Sequence, residues 1–253
     1  MKYRRITGMI LICISLFLFA LVVTLHNLYS IKADIIIDTY QTSIEQLQKD
    51  EIHAMSDQCR EYNASLSEDG MLHALSEEKE EEYNKLLNYH GDGVMAVITI
   101  PSISVSLPVY HGSDDMTLRK GAGHCNWSSL PTGEKGTHAV ITAHSGMAEA
   151  RMFTDLPLLK YGDVFTVTVL NQNIYYIITS IKTVKPEDTS LSYVDPDNAS
   201  CTLVTCTPYG INYHRLCITG IRAKPSVNTE AHGFTCMHFG IYKIRISKKG
   251  MHL

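Results

Sequence analysis

A cysteine and an arginine lie on either side of a predicted turn near residue 210 and could take part in one reaction. Residues 202–206 are mostly β-branched or apolar, which predicts a buried strand that ends at Cys206. Pro208 and Gly210 favour a turn, and a second apolar run begins just after Arg215. A thiol at a strand end, beside a loop, is well placed to act as a nucleophile. The alternative is a small buried cysteine and a surface arginine.

A thiol that cleaves an amide needs a proton partner, and the chain offers 12 histidines. His144 directly follows the predicted strand 138–143, so it lies at a strand end as Cys206 does. The residues alone leave a structural or surface role open for each histidine. Four other histidines are alternatives. His138 begins the same strand at its opposite end, and His111 and His124 are predicted to lie in loops. His214 is next to Arg215 but would point away from it if both already lie in the strand.

The segment around the thiol resembles the sortases, membrane-tethered cysteine transpeptidases of Gram-positive bacteria. Thr202-Leu203-Val204-Thr205-Cys206 matches the TLxTC signature of that family, and Arg215 falls at its downstream arginine. His144 falls at the family histidine within Thr-Ala-His-x-Gly. The resemblance extends in order over residues 83–222 and is closest to class C, the pilus-assembling branch. Its further segments are 91–94 (GDGV), 107–112 (LPVYHG), 121–124 (GAGH) and 136–146 (GTHAVITAHSG).

The resemblance implies a role for each residue of the site. Cys206 attacks the Thr–Gly amide of an LPxTG-like sorting signal, and His144 protonates the departing amine. Arg215 keeps its charge and offers fixed donors, so it can stabilise the oxyanion or clamp substrate carbonyls. Thr205, through its backbone or hydroxyl, and Tyr209, as part of the groove, are further candidates for binding substrate. No metal or organic cofactor is needed.

The implied function is transfer of the sorting signal, held as a thioester, to an amine. The class C resemblance favours a lysine of the next pilin subunit as that amine. The alternative is a housekeeping-type sortase that joins surface proteins to a peptidoglycan amine. A hydrolytic cysteine protease on the same barrel and a binding module that is not an enzyme are also open, and the second predicts that Cys206→Ala has no effect.

The fold class follows from many short strands separated by turn residues, which indicates a mainly β barrel or sandwich. The resemblance implies a closed eight-stranded sortase-like barrel with short helices, and a short helix interrupted by Pro157 is expected within 147–160. The predicted strands are 94–100, 103–109, 138–143, 164–170, 174–184, 202–206 and 216–221.

The net charge of −4 gives no basic surface for nucleic acid. Seven cysteines without paired spacing favour neither a disulfide framework nor a zinc site.

The N-terminal stretch predicts a membrane anchor. Residues 6–31 contain no charged side chain and are long enough to cross a bilayer, whereas a cleaved signal peptide is the alternative. Basic residues within 1–5 precede the stretch and acidic residues follow it, so the N-terminus is expected inside and the catalytic domain outside the plasma membrane. The remaining chain is divided into a helical membrane-proximal region (32–90), the catalytic barrel (91–222) and a tail of unknown role (223–253).

The helical region predicts two amphipathic helices with a break near Gly70. In class C relatives this region often carries a lid with an Asp-Pro-aromatic tripeptide, which is missing here. We therefore expect either a lid of different construction or an unregulated site.

Overall fold

The structure, a computed structural model, describes residues 2–66, 70–147 and 150–223. The predicted tail (223–253) lies outside the described residues, except for Ala223. The N-terminal third of the chain is helical, and the strands that follow close into a barrel.

Helix α1 is much longer than the predicted anchor. It spans Lys2–Gln46 without a break, and its apolar N-terminal part is long enough to cross a membrane and is not buried against the protein. The C-terminal part, by contrast, packs on the barrel, where Tyr40 and Ile44 are buried. One continuous helix is therefore consistent with a single-pass membrane anchor that is also attached to the barrel.

Helices α2 (Lys49–Leu66) and α3 (Glu77–Lys85) confirm the prediction of a helical region. Cys59 and Tyr62 on the predicted apolar face of α2 are buried in the main core. Helix α3 begins after Ser76, whose side chain accepts a hydrogen bond from the backbone N–H of Lys79 and so caps the helix.

The barrel consists of eight strands, which confirms the predicted fold class. The strand order around the closed sheet is β1-β2-β3-β4-β7-β8-β6-β5, with parallel pairs β2/β3 and β4/β7 and antiparallel pairs elsewhere. A short helix α4 (Asp115–Leu118) lies between β2 and β3. The strands are β1 Val94–Ile100, β2 Val105–His111, β3 Ala122–His124, β4 Thr137–Thr142, β5 Val164–Val169, β6 Gln172–Val184, β7 Ala199–Thr207 and β8 His214–Arg222.

The barrel interior is filled by aliphatic and aromatic side chains that alternate with outward-facing residues along each strand. Phe165 and Tyr176 stack inside it with ring centroids 5.3 Å apart. Gly220 of β8 faces this pair, and a Cβ there would come within 2.7 Å of Phe165. Only glycine lets β8 pass so close to the two rings.

Several local predictions differ from the structure, among them one strand and one helix. Strand β3 was absent from the strands predicted by periodicity, because three residues are too few to show an alternating pattern. The helix expected within 147–160 is replaced, in the described part of that stretch, by a single 3-10 turn at Leu156–Leu158. Pro157 lies in that turn, and its ring and missing N–H oppose a longer helix.

The connection between α2 and α3, where relatives carry a lid, pairs with the loop between β6 and β7. Met71 and Tyr193 form an antiparallel bridge, Leu72 N donates to Ser192 O at 2.8 Å, and Val194 N donates to Gly70 O at 3.0 Å. The described part of this connection, from Gly70 onward, is therefore joined to the β6–β7 loop by one isolated β-bridge.

Candidate active site

The sheet topology brings the ends of β4 and β7 together. These strands pair in parallel up to Thr142 and Val204, so His144 and Cys206 each lie two residues beyond that last pair. Backbone contacts continue the alignment, because Ala143 N donates to Val204 O at 3.2 Å. Side chains two residues apart on a strand point to the same face. Cys206 therefore shares the outer face of the barrel with Val204, and His144 lies level with it, just beyond the end of β4.

Arg215 reaches the same place from β8. It is the direct cross-strand partner of Cys206, and opposed residues in an antiparallel pair have adjacent side chains on one face. Its guanidinium Nη1 donates to the carbonyl oxygens of Asn212 and His214, each at 3.1 Å. The guanidinium is thus held by the end of the β7–β8 connection and the start of β8, on the residue that pairs with Cys206.

The His144 ring meets a carboxylate that the sequence did not indicate. Nε2 of His144 lies 3.6 Å from Oδ1 of Asp115, the first residue of α4. Among the hydrogen bonds of the described residues, none joins the Cys206 sulfur to His144 or Arg215. Catalytic hydrogen bonds are often long before substrate binds, so this spacing is compatible with catalysis. Asp115 was missed because its approach to His144 depends on how α4 folds back, which no local pattern reveals.

Thr205 connects the two strands that carry the thiol and the imidazole. It is buried, and its hydroxyl donates to the backbone oxygen of Ala143 at 2.8 Å, directly before His144. Its hydroxyl is therefore bound to protein, and Thr205 itself pairs with Leu216 of β8, so the substrate contact expected from the sequence stays a prediction.

Tyr209 lies in the β7–β8 connection, as expected for a residue at the edge of the site. Its exposed ring covers Gly146, where a Cβ would come within 2.8 Å of the ring. Gly146 also has a φ of +83°, which disfavours any other residue. This contact sets the β7–β8 connection against the loop that follows His144.

Three of the alternative histidines have structural surroundings. His138 is buried, with Nδ1 2.9 Å from Tyr193 O and Nε2 2.8 Å from Thr202 Oγ1. His111 and His124 end strands β2 and β3 and do not lie in loops as predicted. None of these three shares the end of β4 and β7 with Cys206.

His124 makes folding stability depend on pH. Its buried ring lies 3.0 Å from the Tyr83 hydroxyl through Nδ1 and 2.9 Å from Ser129 O through Nε2. Burial lowers the pKa of His124 from 6.5 to about 4. Between those values the unfolded chain binds the proton and the folded chain does not, so stability is lost as the pH falls through this window.

We expect the free energy of unfolding to fall by about 3 kcal/mol between about pH 7 and pH 4 from His124 alone. Urea unfolding followed by near-ultraviolet circular dichroism measures it. The variant His124→Gln isolates the effect, because carboxylates and His138 titrate equally in both proteins. Parallel pH profiles for the two proteins would show that His124 is not the source.

A barrel that brings a thiol, an imidazole and a guanidinium to one end defines a class of cysteine enzymes, and the comparisons identify the family. The Sortase domain matches residues 98–223. The structure of sortase C1 from Streptococcus agalactiae is 36% identical, with a TM-score of 0.73, and the match covers 76% of this chain and 99% of that one. Sortase C of Streptococcus pneumoniae, described for its catalysis and pilin substrate specificity, is 33% identical with a TM-score of 0.67, over 77% and 99%.

The chain therefore belongs to the sortase family, and class C sortases are among its structural neighbours. Sortase A of Listeria monocytogenes is 31% identical over 120 residues, which are 47% of this chain and 52% of that protein. The chain thus spans about half the length of the curated relatives it matches.

Proposed function

We propose that this protein is a membrane-anchored cysteine transpeptidase that moves a sorting signal from one protein to an amine. The observation that carries the proposal is the strand register, which gathers His144, Cys206 and Arg215 on one face at one end of the barrel. A nucleophilic thiol, a proton donor and a fixed hydrogen-bond donor for the oxyanion together support acyl transfer through a thioester.

The reaction has two halves that share these groups. With the thiol proton on His144, the Cys206 sulfur attacks the Thr–Gly carbonyl of an LPxTG-like signal, and the Arg215 guanidinium stabilises the oxyanion that forms. The C–N bond then breaks, His144 gives its proton to the leaving amine, and the thioester remains. An incoming amine attacks the thioester, His144 takes up a proton from it, and the thiolate leaves as the new amide bond forms.

We infer a pilin lysine as the acceptor, so that the product is an isopeptide-linked fibre. The support is the similarity to class C sortases, including one described for pilin substrate specificity. The competing acceptor is a peptidoglycan amine, which the similarity to several proteins named sortase A favours. Both acceptor hypotheses involve the same thioester and differ only in the amine that attacks it in the second half of the reaction.

The proposed setting is the outer face of the plasma membrane. The apolar part of α1 would cross the bilayer, with the N-terminus inside, because the basic residues precede it and acidic residues follow it. The barrel would then act on proteins outside the cell.

The test is mass spectrometry of the full chain in lipid nanodiscs with an LPxTG-type peptide, alone and together with a pilin-derived lysine peptide, a peptidoglycan-derived amine, or both. We expect an acyl-enzyme on Cys206 that resolves to an isopeptide product only when lysine is present. Transfer to a peptidoglycan-derived amine, with none to lysine, would select the wall-anchoring function. Free acid in the presence of both amines would select a protease, and no adduct would overturn the proposal.

Removal of the guanidinium should slow acyl transfer without preventing thiol chemistry. We expect Arg215→Ala to lower kcat/KM by about 10² to 10³-fold, because the oxyanion loses a fixed donor. Arg215→Lys should recover only part of the loss, since an ammonium group lacks the planar fork. Steady-state kinetics with the peptide pair measures both variants.

The control for Arg215 is Arg60→Ala, which removes an exposed arginine of α2 that pairs with Asp57. It should leave kcat/KM unchanged. If Arg215→Ala behaves like Arg60→Ala, the guanidinium does not stabilise the oxyanion.

A further inference from the structure

The anchor helix touches the barrel at the catalytic end. The hydroxyl of Tyr29 in α1 donates to Lys120 O at 2.8 Å and lies 3.4 Å from the sulfur of Met152. Lys120 shortly precedes β3, whose first residues pair with the end of β4. Met152 precedes Phe153, whose N–H donates to the backbone oxygen of His144 at 3.0 Å. The helix therefore reaches the barrel beside the proposed site.

From this contact α1 runs along the barrel toward its opposite end. The hydroxyl of Tyr40 donates to Met95 O at 2.9 Å, near the start of β1. Strand β1 runs antiparallel to β5, which begins after the β4–β5 connection, so β1 starts far from the catalytic end. The apolar part of α1, which precedes Tyr29, must then project beyond the catalytic end.

The length of the apolar part of α1 determines where the contact between Tyr29 and the barrel lies relative to the bilayer. A bilayer core of about 30 Å is crossed by about 20 helical residues. Counted from Ile6, the first residue of the uncharged stretch, the core ends near residue 25. Tyr29 lies roughly 6 Å further along the helix, in the headgroup layer, where tyrosine is favoured.

The exposed apolar side chains outside α1 are also concentrated at the catalytic end of the barrel. Outside α1, the described residues expose eight large hydrophobic side chains, and six of them lie on the connections at the catalytic end. These six are Met116 in α4, Leu158 and Tyr161 between β4 and β5, and Tyr209, Ile211 and Tyr213 between β7 and β8; the other two are Tyr175 and Tyr193.

We propose that this set of six side chains, the catalytic rim, rests on the outer leaflet, so that the mouth of the active site faces the membrane surface. The charges close to the rim include ion pairs, such as Arg119 with Asp115 at 2.9 Å and Arg151 with Asp155 at 4.0 Å. Because these charges are paired within the protein, the contact with the lipid interface comes from aromatic and aliphatic side chains. The partner is the lipid interface and not a second protein.

This orientation deepens the proposed function, on which it rests through the membrane anchor. A site that faces the bilayer receives peptide segments from proteins that are themselves held at the membrane. A substrate free in solution would have to enter between the barrel and the headgroups. The orientation therefore favours membrane-bound donors, in addition to any recognition of their sequence by the side chains of the groove.

Hydroxyl-radical labelling of the unmodified full chain, one chain per lipid nanodisc, tests the orientation, because the radicals form in water. Tyr161 and Tyr213 are 67% and 74% exposed in the protein alone, whereas Tyr175 and Tyr193 are 47% and 57% exposed and lie away from the rim. We expect Tyr161 and Tyr213 to be labelled at least about threefold more slowly than Tyr175 and Tyr193, since interfacial side chains are buried among headgroups.

Phe17 and Phe19, both exposed on the apolar part of α1, report separately on the anchor. If they are labelled, the helix does not cross the bilayer and the membrane setting of the proposed function fails. If they are protected while Tyr161 and Tyr213 are labelled as fast as Tyr175 and Tyr193, the anchor holds and the orientation alone is overturned.

Discussion

Replacing Cys206 with alanine should abolish formation of the acyl-enzyme and lower kcat/KM by about 10⁵-fold or more, to the background of the assay. The reason is that the thioester forms on this sulfur and alanine has no atom that could replace it. Intact-protein mass spectrometry after incubation with the LPxTG-type peptide should show the acyl adduct on the unmodified protein and none on Cys206→Ala. The product assay with a lysine peptide measures the rate.

Cys217→Ala is the matched control for that experiment. Cys217 lies on β8 opposite Val204, two residue pairs from the pair of Cys206 with Arg215, so it shares the outer face with Cys206. It is 3% exposed, and burial raises the pKa of its thiol to about 11, which keeps it protonated and unreactive at neutral pH. The control should keep both the adduct and the rate. An adduct that persists in Cys206→Ala and disappears in Cys217→Ala would show that Cys217, and not Cys206, is the nucleophile.

The chemical groups of the site could be predicted from the sequence because each of them lies where a strand ends. The change from β-branched residues to Pro208 and Gly210 marks the end of β7, and the return of apolar residues marks β8. The pairing of Cys206 with Arg215 then follows from a hairpin between neighbours in the chain. The position of His144 needed more, because β4 and β7 are distant in sequence and pair in parallel. The family resemblance supplied that link, which periodicity alone does not contain.

Features that depend on tertiary contacts between distant segments were not predicted. Asp115 is one of two adjacent aspartates, and Asp114 acts as the cap of α4, with its carboxylate accepting from the backbone N–H groups of Met116 and Thr117. Nothing local distinguishes the aspartate that caps from the one that meets His144. The extension of α1 to Gln46 was also missed, because charged residues after position 31 suggested a new segment, although they do not interrupt a helix.

Replacing His144 with alanine should lower kcat/KM by about 10³-fold, because the leaving amine departs unprotonated and the incoming amine keeps its proton. The thiol remains, so the chemistry is slowed and not abolished. Steady-state kinetics gives the rate, and His214→Ala is the control, since His214 begins β8 beside the site but lies on the opposite face from Arg215. A loss of less than about tenfold would exclude His144 as the general acid and base.

The same variant separates two proton arrangements of the resting enzyme. If Cys206 and His144 form a thiolate–imidazolium pair, the imidazolium sustains the thiolate, and His144→Ala should slow alkylation of Cys206 by iodoacetamide at neutral pH. If the pair is neutral, alkylation should change little while transpeptidation is lost, because the imidazole then acts only after substrate binds. Asp115→Asn adds a second comparison, since it removes the carboxylate that lies 3.6 Å from Nε2 of His144. A slower alkylation in both variants therefore indicates the ion pair, and unchanged alkylation in both indicates the neutral pair.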